Sequence, residues 1–258
     1  MQITERFAVK NKCYQAGAPL TPRGIMLHSV GTPQPSAAVF ARSFNQYQPG
    51  GASVCVHAFV QADGTVYQTL PWEMIAWHCG GSANATHIGV EMTEPSAGMT
   101  RDEAAEQSAG MTRDEAAEQI AGTYRTAVAL FAALCRQYGL DPAQDGVIIG
   151  HAEGHRRGVA SNHADPELLW RTYDMGYTMD GFRADVAEAM GNGAREEALD
   201  MPRYDSVAEM PQWARADVQR LIDRGVLSGV GNGRLDLSLD MIRTMLVCQR
   251  MLDKQKET

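Results

Sequence analysis

Seven histidines are the residues best suited to chemistry in this 258-residue sequence: His28, His57, His78, His87, His151, His155 and His163. Two of them end segments whose apolar residues predict buried strands. His28 lies near the C-terminal end of the stretch 24–30, and His151 directly follows the stretch 146–150. Because ligand-binding side chains collect at the C-terminal ends of strands in such sheets, we expect these two imidazoles to share one site.

Two histidines with one carboxylate form a donor set that suits a catalytic zinc ion with an open coordination position. His163 and Asp165 lie in the irregular stretch after His151, so one candidate set is His28, His151 and Asp165. The residues leave two alternatives open. His151 and His155 are four residues apart and would share one helix face, although a glycine and the preceding strand make a helix doubtful there. His163 with Asp165 is the other candidate pair.

The elements that must position these side chains predict an α/β fold, with a mixed central sheet flanked by helices. A long helix is expected to end near Tyr138, with Gly139 as its stop signal. The spacing of Phe182, Val186 and Met190 indicates a final helix. The predicted strands cover residues 24–30, 54–61, 65–70, 87–92 and 146–150.

A twelve-residue segment, SAGMTRDEAAEQ, occurs twice in tandem, at residues 96–107 and 108–119. Each copy contains Thr-x-x-Glu, the capping box that begins a helix. We expect the second copy, with Thr112 and Glu115, to begin the long helix. The first copy is then a surface loop or a short extra helix. A recent duplication explains the repeat better than a function does.

Length and composition predict one medium domain followed by a small one. Hydrophobic residues make up 44% of the chain and charged residues 21%, which is enough for a packed core. We assign residues 1–190 to the main domain, 191–203 to a linker and 204–258 to a small helical module. The net charge of −8 argues against a general binder of nucleic acid or acidic membranes. No apolar run approaches the length of about 20 residues that a membrane span needs.

The five cysteines are odd in number and widely spaced, without a Cys-x-x-Cys pair. In a chain in which no export signal is recognised, this pattern predicts free thiols that lie mostly in cores. The five residues are Cys13, Cys55, Cys79, Cys135 and Cys248.

Five segments of the sequence carry a resemblance to a known family. They read GIMLHSVGTPQP, VHAFVQADGTVYQTLP, AWHCGG, HIGVEMTEP and GHAEGHRRGVASNHADPELLW. In this order and spacing they resemble the zinc-dependent N-acetylmuramoyl-L-alanine amidase type 2 family, whose relatives include peptidoglycan recognition proteins and phage lytic amidases. The resemblance covers roughly residues 20–175 and implies the same mixed sheet flanked by helices.

The resemblance also implies a ligand set and a general base. Zinc would be held by His28, His151 and Asp165, which is one of the sets that the residues themselves indicate. Members of the family take as general base either a tyrosine before the histidine of the second motif or a glutamate in an Ile-Gly-Ile-Glu strand. Val56 occupies the tyrosine position and cannot move a proton, so the resemblance assigns the base to Glu91.

The family often has an oxyanion-stabilising lysine two residues before the third ligand, where this sequence has His163. Lysine occurs only at residues 10, 12, 254 and 256. The resemblance therefore assigns that hydrogen bond to His163, or to an arginine such as Arg156 or Arg157. A histidine can donate this bond, but its charge would depend on pH, unlike that of a lysine.

The other candidate residues are predicted to support the site or to pack. Cys79 does not occupy the third-ligand position and is interpreted as structural. Trp72 and Trp77 could line a groove for sugar or peptide, with core packing as the simpler interpretation. The histidines interpreted as supporting or packing residues are His57, His78 and His155.

Residues 204–258 carry a second resemblance. Their order of aromatic-Asp-x-Val, Trp-Ala, Leu-x-x-x-Gly and Gly-x-Gly is similar to a single S-layer homology repeat. Such repeats usually occur in threes and bind secondary cell-wall polymers, so a single copy implies wall targeting, self-association or a packing role. One helix, ended by Gly225, is predicted to carry the apolar residues Trp213, Val218, Leu221 and Ile222. Ser238 is predicted to cap a second helix that contains Ile242, Met245, Leu246 and Leu252.

These resemblances imply an enzyme that hydrolyses the amide bond between N-acetylmuramic acid and L-alanine in peptidoglycan. No export signal is recognised, so we expect synthesis in the cytoplasm and action on the wall after release, as for a phage or prophage endolysin. The alternatives are a non-catalytic peptidoglycan recognition protein and an intracellular amidase that recycles muropeptides. Asp165 favours the enzyme, because recognition relatives commonly lose the third ligand. The module resembling a wall-binding repeat argues against recycling.

Overall fold

The computed structural model describes residues 1–46, 54–96, 111–200, 203–231, 233–238, 241–242, 244–246 and 249. The chain divides into two compact units, Met1–Gly191 and Asn192–Thr258. The first unit contains every residue that the sequence proposed for the site.

The first unit is built on a six-stranded sheet with the order β1-β4-β3-β5-β2-β6. Its strands are all parallel to their neighbours except at β3–β4, so the predicted mixed sheet is confirmed. The strand at residues 2–5 was not predicted, since its side chains are mostly exposed and lack an apolar alternation. The strands are β1 (Gln2–Glu5), β2 (Gly24–Ser29), β3 (Ala58–Val60), β4 (Thr65–Gln68), β5 (His87–Met92) and β6 (Ile148–Gly150).

Helices cover the sheet of the first unit, as predicted. The long α3 begins at the capping box of Thr112 and Glu115 and ends at Gly139, which has a φ of 64°. The first copy of the twelve-residue repeat lies outside the described residues, except for Ser96. The helices are α1 (Lys12–Ala16), α2 (Ala37–Phe44), α3 (Arg113–Tyr138), α4 (His151–Arg156), α5 (Glu167–Thr172) and α6 (Met179–Asp200).

The main core lies between the sheet and α3, α5 and α6. All six residues of β2 are buried, as a strand paired on both sides and covered on both faces should be. Phe182 and Val186 of α6 are fully buried in this core, which confirms the final helix of the first unit. Each such side chain contributes roughly 1.5–3 kcal/mol when it is buried. The site is thus attached to the most constrained strand of the fold.

Four of the five cysteines, Cys13, Cys55, Cys79 and Cys135, are buried free thiols, as predicted, and Cys248 lies outside the described residues.

In the part of the chain that the structure describes, no helix is long and apolar enough to cross a membrane.

The second unit is small and mostly helical. It contains the short antiparallel pair β7 (Arg203–Tyr204) and β8 (Leu237–Ser238) and the helix α7 (Gln212–Asp223). The hydroxyl of Ser238 accepts the backbone N–H of Met241 at 3.2 Å, as expected for the cap of a following helix. Leu252 lies outside the described residues. The segment 191–203, predicted as a linker, is helical as far as Asp200.

The helix predicted to carry Trp213, Val218, Leu221 and Ile222 is α7, which contains all four residues. Ala214, Val218 and Leu221 are buried at the i, i+4, i+7 spacing of one helix face. Trp213 precedes the first of them and therefore lies off that face, with 52% of its surface exposed.

Candidate metal centre

The candidate site forms where three neighbouring parallel strands end on the same edge of the sheet. His28 is the fifth residue of β2, and it pairs in register with Glu91 of β5. His151 begins α4 directly after β6, the strand on the other side of β2. The strand order therefore brings together three side chains that are far apart in the sequence.

The ring nitrogens of two histidines meet one carboxylate at this edge. His28 Nδ1 lies 3.0 Å from His151 Nδ1 and 3.3 Å from Asp165 Oδ2, and His151 Nδ1 lies 3.6 Å from Asp165 Oδ1. The three ligand atoms all lie within 4.8 Å of one another, and we refer to His28, His151 and Asp165 as the cluster. Within the described residues, no other group of three histidine, cysteine or acidic side chains is drawn together in this way.

The alternative pair His151 and His155 does not form a site, although the reason given against it was wrong. Residues 151–156 do form a helix, α4. The glycine within it, Gly154, lies so close to β2 that a Cβ would fall 2.9 Å from the Met26 side chain. A residue without a Cβ is needed for this close approach, and the helix forms although glycine is a poor helix former. His155 is exposed, whereas His151 is buried.

The donor set suits a divalent cation. Two imidazole nitrogens and one carboxylate are donor types that a divalent cation such as zinc accepts, and each offers an electron pair when the rings are neutral and the carboxylate is ionised. Burial raises the pKa of Asp165, but its contacts with His151 and His28 outweigh burial and hold that pKa well below its usual value. The backbone N–H of Ser29 also donates to Asp165 Oδ2, at 3.3 Å. The carboxylate is therefore ionised and oriented toward both rings.

The side of the His151 ring that faces away from the cluster contacts a residue that the sequence did not single out. Its Nε2 lies 3.2 Å from the hydroxyl of Ser161, and that hydroxyl donates to the backbone carbonyl of Cys79 at 3.0 Å. Because the hydroxyl hydrogen is used there, Ser161 accepts from His151 and leaves its Nδ1 free for a ligand. Ser161 lies two residues before His163 in the SNHADP segment, and this position was the only signal for it.

Glu91 lines the same cavity as the three residues of the cluster. Its Oε2 is buried and makes no hydrogen bond. Burial and the negative charges of Asp165 and Glu94 raise the pKa of Glu91 well above its usual value. An unpartnered carboxyl group with a raised pKa is the property expected of a general acid–base catalyst.

His163 lies on the open side of the cluster. Its ring stacks on that of His151, with centroids 4.5 Å apart, and its Nδ1 is 3.9 Å from Asp165 Oδ1. The side chain is 60% exposed. The two arginines named as alternatives are placed elsewhere, because Arg156 and Arg157 line a different cavity, where they pair with acidic side chains.

The cluster opens into a cavity of about 900 Å³. Val56, which cannot move a proton, lines it. The two tryptophans differ: Trp72 belongs to the core, as expected, whereas Trp77 lines the cavity and is 37% exposed. Cys79 is buried, and its thiol contacts the side chain of Asn84, which agrees with a structural role. The cavity thus joins the cluster to an aromatic wall.

Comparisons with known proteins agree with this geometry. Residues 18–168 match the family described as N-acetylmuramoyl-L-alanine amidase. The Staphylococcus aureus hydrolase AmiA, solved in complex with its ligand, is 18% identical and superposes with a TM-score of 0.55, over 76% of this chain and 86% of that one. PlyL is also 18% identical, with a TM-score of 0.51 over 72% of this chain and 97% of that one. No curated protein matches the chain.

At these identities the solved structures show a shared fold, that of an α/β domain built on a mixed sheet. The family match is more specific, because it extends over more than half of the chain. The chain belongs to the N-acetylmuramoyl-L-alanine amidase family. It is an amidase that cleaves peptidoglycan between N-acetylmuramic acid and L-alanine.

Proposed function

We propose that this amidase is a zinc enzyme in which His28, His151 and Asp165 hold the ion and Glu91 is the general base. The observation that carries the proposal is the convergence of the two Nδ1 atoms and the carboxylate at distances of 3.0–3.6 Å. Three protein ligands leave a fourth position open, as catalytic zinc sites require.

The reaction is hydrolysis of an amide. Bound zinc supplies Lewis-acid polarisation and lowers the pKa of a water molecule to about 7. The Glu91 carboxylate removes a proton from the water that attacks the carbonyl carbon, and then delivers it to the nitrogen of L-alanine as the C–N bond breaks. Its raised pKa suits both steps, since the same group must take up and release one proton.

His163 is proposed to stabilise the carbonyl oxygen as negative charge develops on it. Its position on the open side of the cluster, stacked on His151, supports this role. Arg156 and Arg157 line another cavity and are poorly placed for it.

The test is a chemical assay of products released from purified Gram-positive walls, with wild type and the Asp165→Ala variant. We expect new L-alanine amino termini without new reducing sugar ends. This release should stop with a chelator, return with added zinc, and be absent in the variant.

Two other outcomes would each change the proposal. If zinc binds but no wall type is cleaved while soluble muropeptides are, the enzyme is a recycling amidase rather than a lytic one. If neither substrate is cleaved, the protein recognises peptidoglycan without hydrolysing it. Release that persists in the presence of chelator would overturn the zinc assignment.

We also propose that the first unit is the catalytic domain of a phage or prophage endolysin and that the second unit attaches it to a secondary cell-wall polymer. Large apolar side chains exposed on the second unit support an interaction surface, namely Trp213, Val226, Val230 and Met241. Wall retention should fall in a Trp213→Ala variant whose rate on small muropeptides is unchanged. Unchanged retention together with a loss of self-association would favour the oligomerisation alternative, and no change in either would favour a packing role.

A further inference from the structure

A buried chain of hydrogen bonds runs away from the cluster behind His28. The Nε2 of His28 lies 2.8 Å from Nδ1 of His78, and the Nε2 of His78 lies 3.2 Å from the backbone carbonyl of His87. A carbonyl oxygen can only accept, so His78 donates with Nε2. The rings of His28 and His57 both lie against that of His78, and a cation buried among them would be costly. A neutral His78 then has its lone pair at Nδ1 and accepts the Nε2–H of His28.

The backbone around His78 is built to hold this ring in one place. Gly89 of β5 gives it room, because a Cβ there would fall 2.4 Å from His78 Cγ. The Asn84 side chain accepts the backbone N–H groups of both His78 and Cys79, each at 3.0 Å. Only 9% of His78 is exposed. The acceptor that faces His28 is therefore fixed by the fold.

We propose that His78 is a positioning residue that locks His28 in its Nε2–H tautomer, so that the Nδ1 lone pair of His28 faces His151 and Asp165. The inference rests on the zinc site of the proposed function. Groups that orient ligand histidines in this way typically contribute 10- to 100-fold to metal affinity. His78 is not one of the three candidate ligand residues, and it would act on the metal site through its bond to His28.

Two substitutions separate this role from simple packing. Phenylalanine fills the space of the imidazole but offers no acceptor. Asparagine is smaller, but its Oδ1 can take the position of the imidazole Nδ1. The proposal predicts that His78→Asn keeps most of the zinc affinity and that His78→Phe loses about 10- to 100-fold. A packing role predicts the opposite order.

The measurement is zinc affinity, by competition with a chromogenic chelator, on wild type and both variants. His57→Asn is the matched control, because His57 is an equally buried histidine that bonds only the backbone of Met74 and Gly89. Its zinc affinity should match that of wild type. If His78→Phe does not fold, His78→Gln must show the loss, since its amide can reach the His87 carbonyl but leaves the Nδ1 position without an acceptor.

A second readout does not depend on the metal. Long-range ¹H–¹⁵N spectra of the zinc-free protein above neutral pH should show His28 as the Nε2–H tautomer in wild type and in His78→Asn, and as a mixture in His78→Phe. Equal zinc affinity in all variants would overturn the proposal while leaving the zinc enzyme intact. A wild type that binds no zinc would overturn the proposed function, and an Nδ1–H tautomer of His28 would overturn the positioning role on its own.

Discussion

The site consists of a sheet side and a loop side, and the two are supported in different ways. On the sheet side, His28 and Glu91 stand opposite each other on β2 and β5, and the pairing register sets their separation. On the loop side, His151, His163 and Asp165 belong to a single segment that leaves β6, turns through α4 and returns. A backbone hydrogen bond from the Ala152 N–H to the Asp165 carbonyl, 3.0 Å long, closes that segment.

This difference indicates which side of the site has the more rigid geometry. A change on the sheet side must disturb strands that are paired on both sides and buried, so its geometry is rigid before any ligand binds. The loop side depends on a few hydrogen bonds at the edge of an open cavity, where water can replace a lost partner. We therefore expect sheet-side substitutions to have larger effects than matched loop-side ones.

The largest effect should come from the sheet-side base. Glu91→Gln keeps the shape of the side chain but cannot carry the proton, so kcat should fall by about 10²–10⁴-fold while zinc remains bound. Glu94→Gln is the matched control, because Glu94 lines the same cavity and accepts the Gly31 N–H at 2.8 Å, a bond that glutamine can keep. Steady-state kinetics and metal analysis check both. A loss in Glu94→Gln as large as in Glu91→Gln would contradict the assignment.

On the loop side, His163→Ala should reduce kcat by about 10- to 100-fold, less than the 10²–10³-fold typical of a preorganised oxyanion donor. The smaller loss follows from the exposure of His163. His163→Lys should recover activity, because lysine also donates and keeps its charge near neutral pH. The lysine variant should also change the pH profile of kcat. Full activity in His163→Ala would remove this residue from the reaction.

Acid should destabilise the fold through its buried histidines. Burial lowers the pKa of His57 to about 4, and burial also lowers the pKa values of His28, His78 and His87. Unfolded histidines titrate near 6.5, so between about pH 6.5 and 4 the unfolded chain binds more protons. The free energy of unfolding is therefore highest above about pH 6.5 and falls toward pH 4, by up to roughly 3 kcal/mol for His57 alone.

Urea unfolding of the zinc-free protein at several pH values measures this loss. The pH dependence of the unfolding free energy should be smaller in His57→Asn than in wild type. Asp165, whose pKa is lowered, adds stability that is lost as the pH falls through and below the ordinary titration range of an aspartate, so most of this loss occurs at lower pH than that of the histidines. An unchanged pH dependence in His57→Asn would show that this imidazole does not titrate on unfolding.

The smallest effect should come from the loop-side counterpart of His78. Ser161→Ala removes the acceptor behind His151, and zinc affinity should fall by about tenfold, the lower end of the range for such groups. Ser161 lines the open cavity, so water can take the place of the hydroxyl. The same competition titration measures this value. If Ser161→Ala lost more affinity than His78→Phe, the difference between the two sides would be the reverse of the one inferred.

Much of the sheet side could be predicted from the sequence, because runs of apolar residues indicate buried strands. The strands that carry His28 and Glu91 match their predicted ranges closely, and parallel strands must place their C-terminal ends on one edge. The edge strand β1 escaped prediction, since an exposed strand has no such pattern.

The loop side could be predicted only in part. His151 and Asp165 were selected through their spacing and the family resemblance. The helix α4 was doubted because of its glycine and the preceding strand, and the only signal for Ser161 was its position two residues before His163. The sequence analysis interpreted His78 as a supporting or packing residue, but its hydrogen bond to His28 could not be predicted. This bond joins residues that are 50 positions apart. Residue types alone do not show which of the two imidazoles donates the hydrogen.

Zinc K-edge X-ray absorption of the purified, zinc-loaded enzyme tests the ligand set most directly. We predict two imidazole nitrogens and a carboxylate oxygen at about 2.0–2.2 Å, and a first shell that changes in Asp165→Ala. A sulfur neighbour at about 2.3 Å, or a spectrum unchanged in Asp165→Ala, would contradict the assignment of His28, His151 and Asp165 as the zinc ligands.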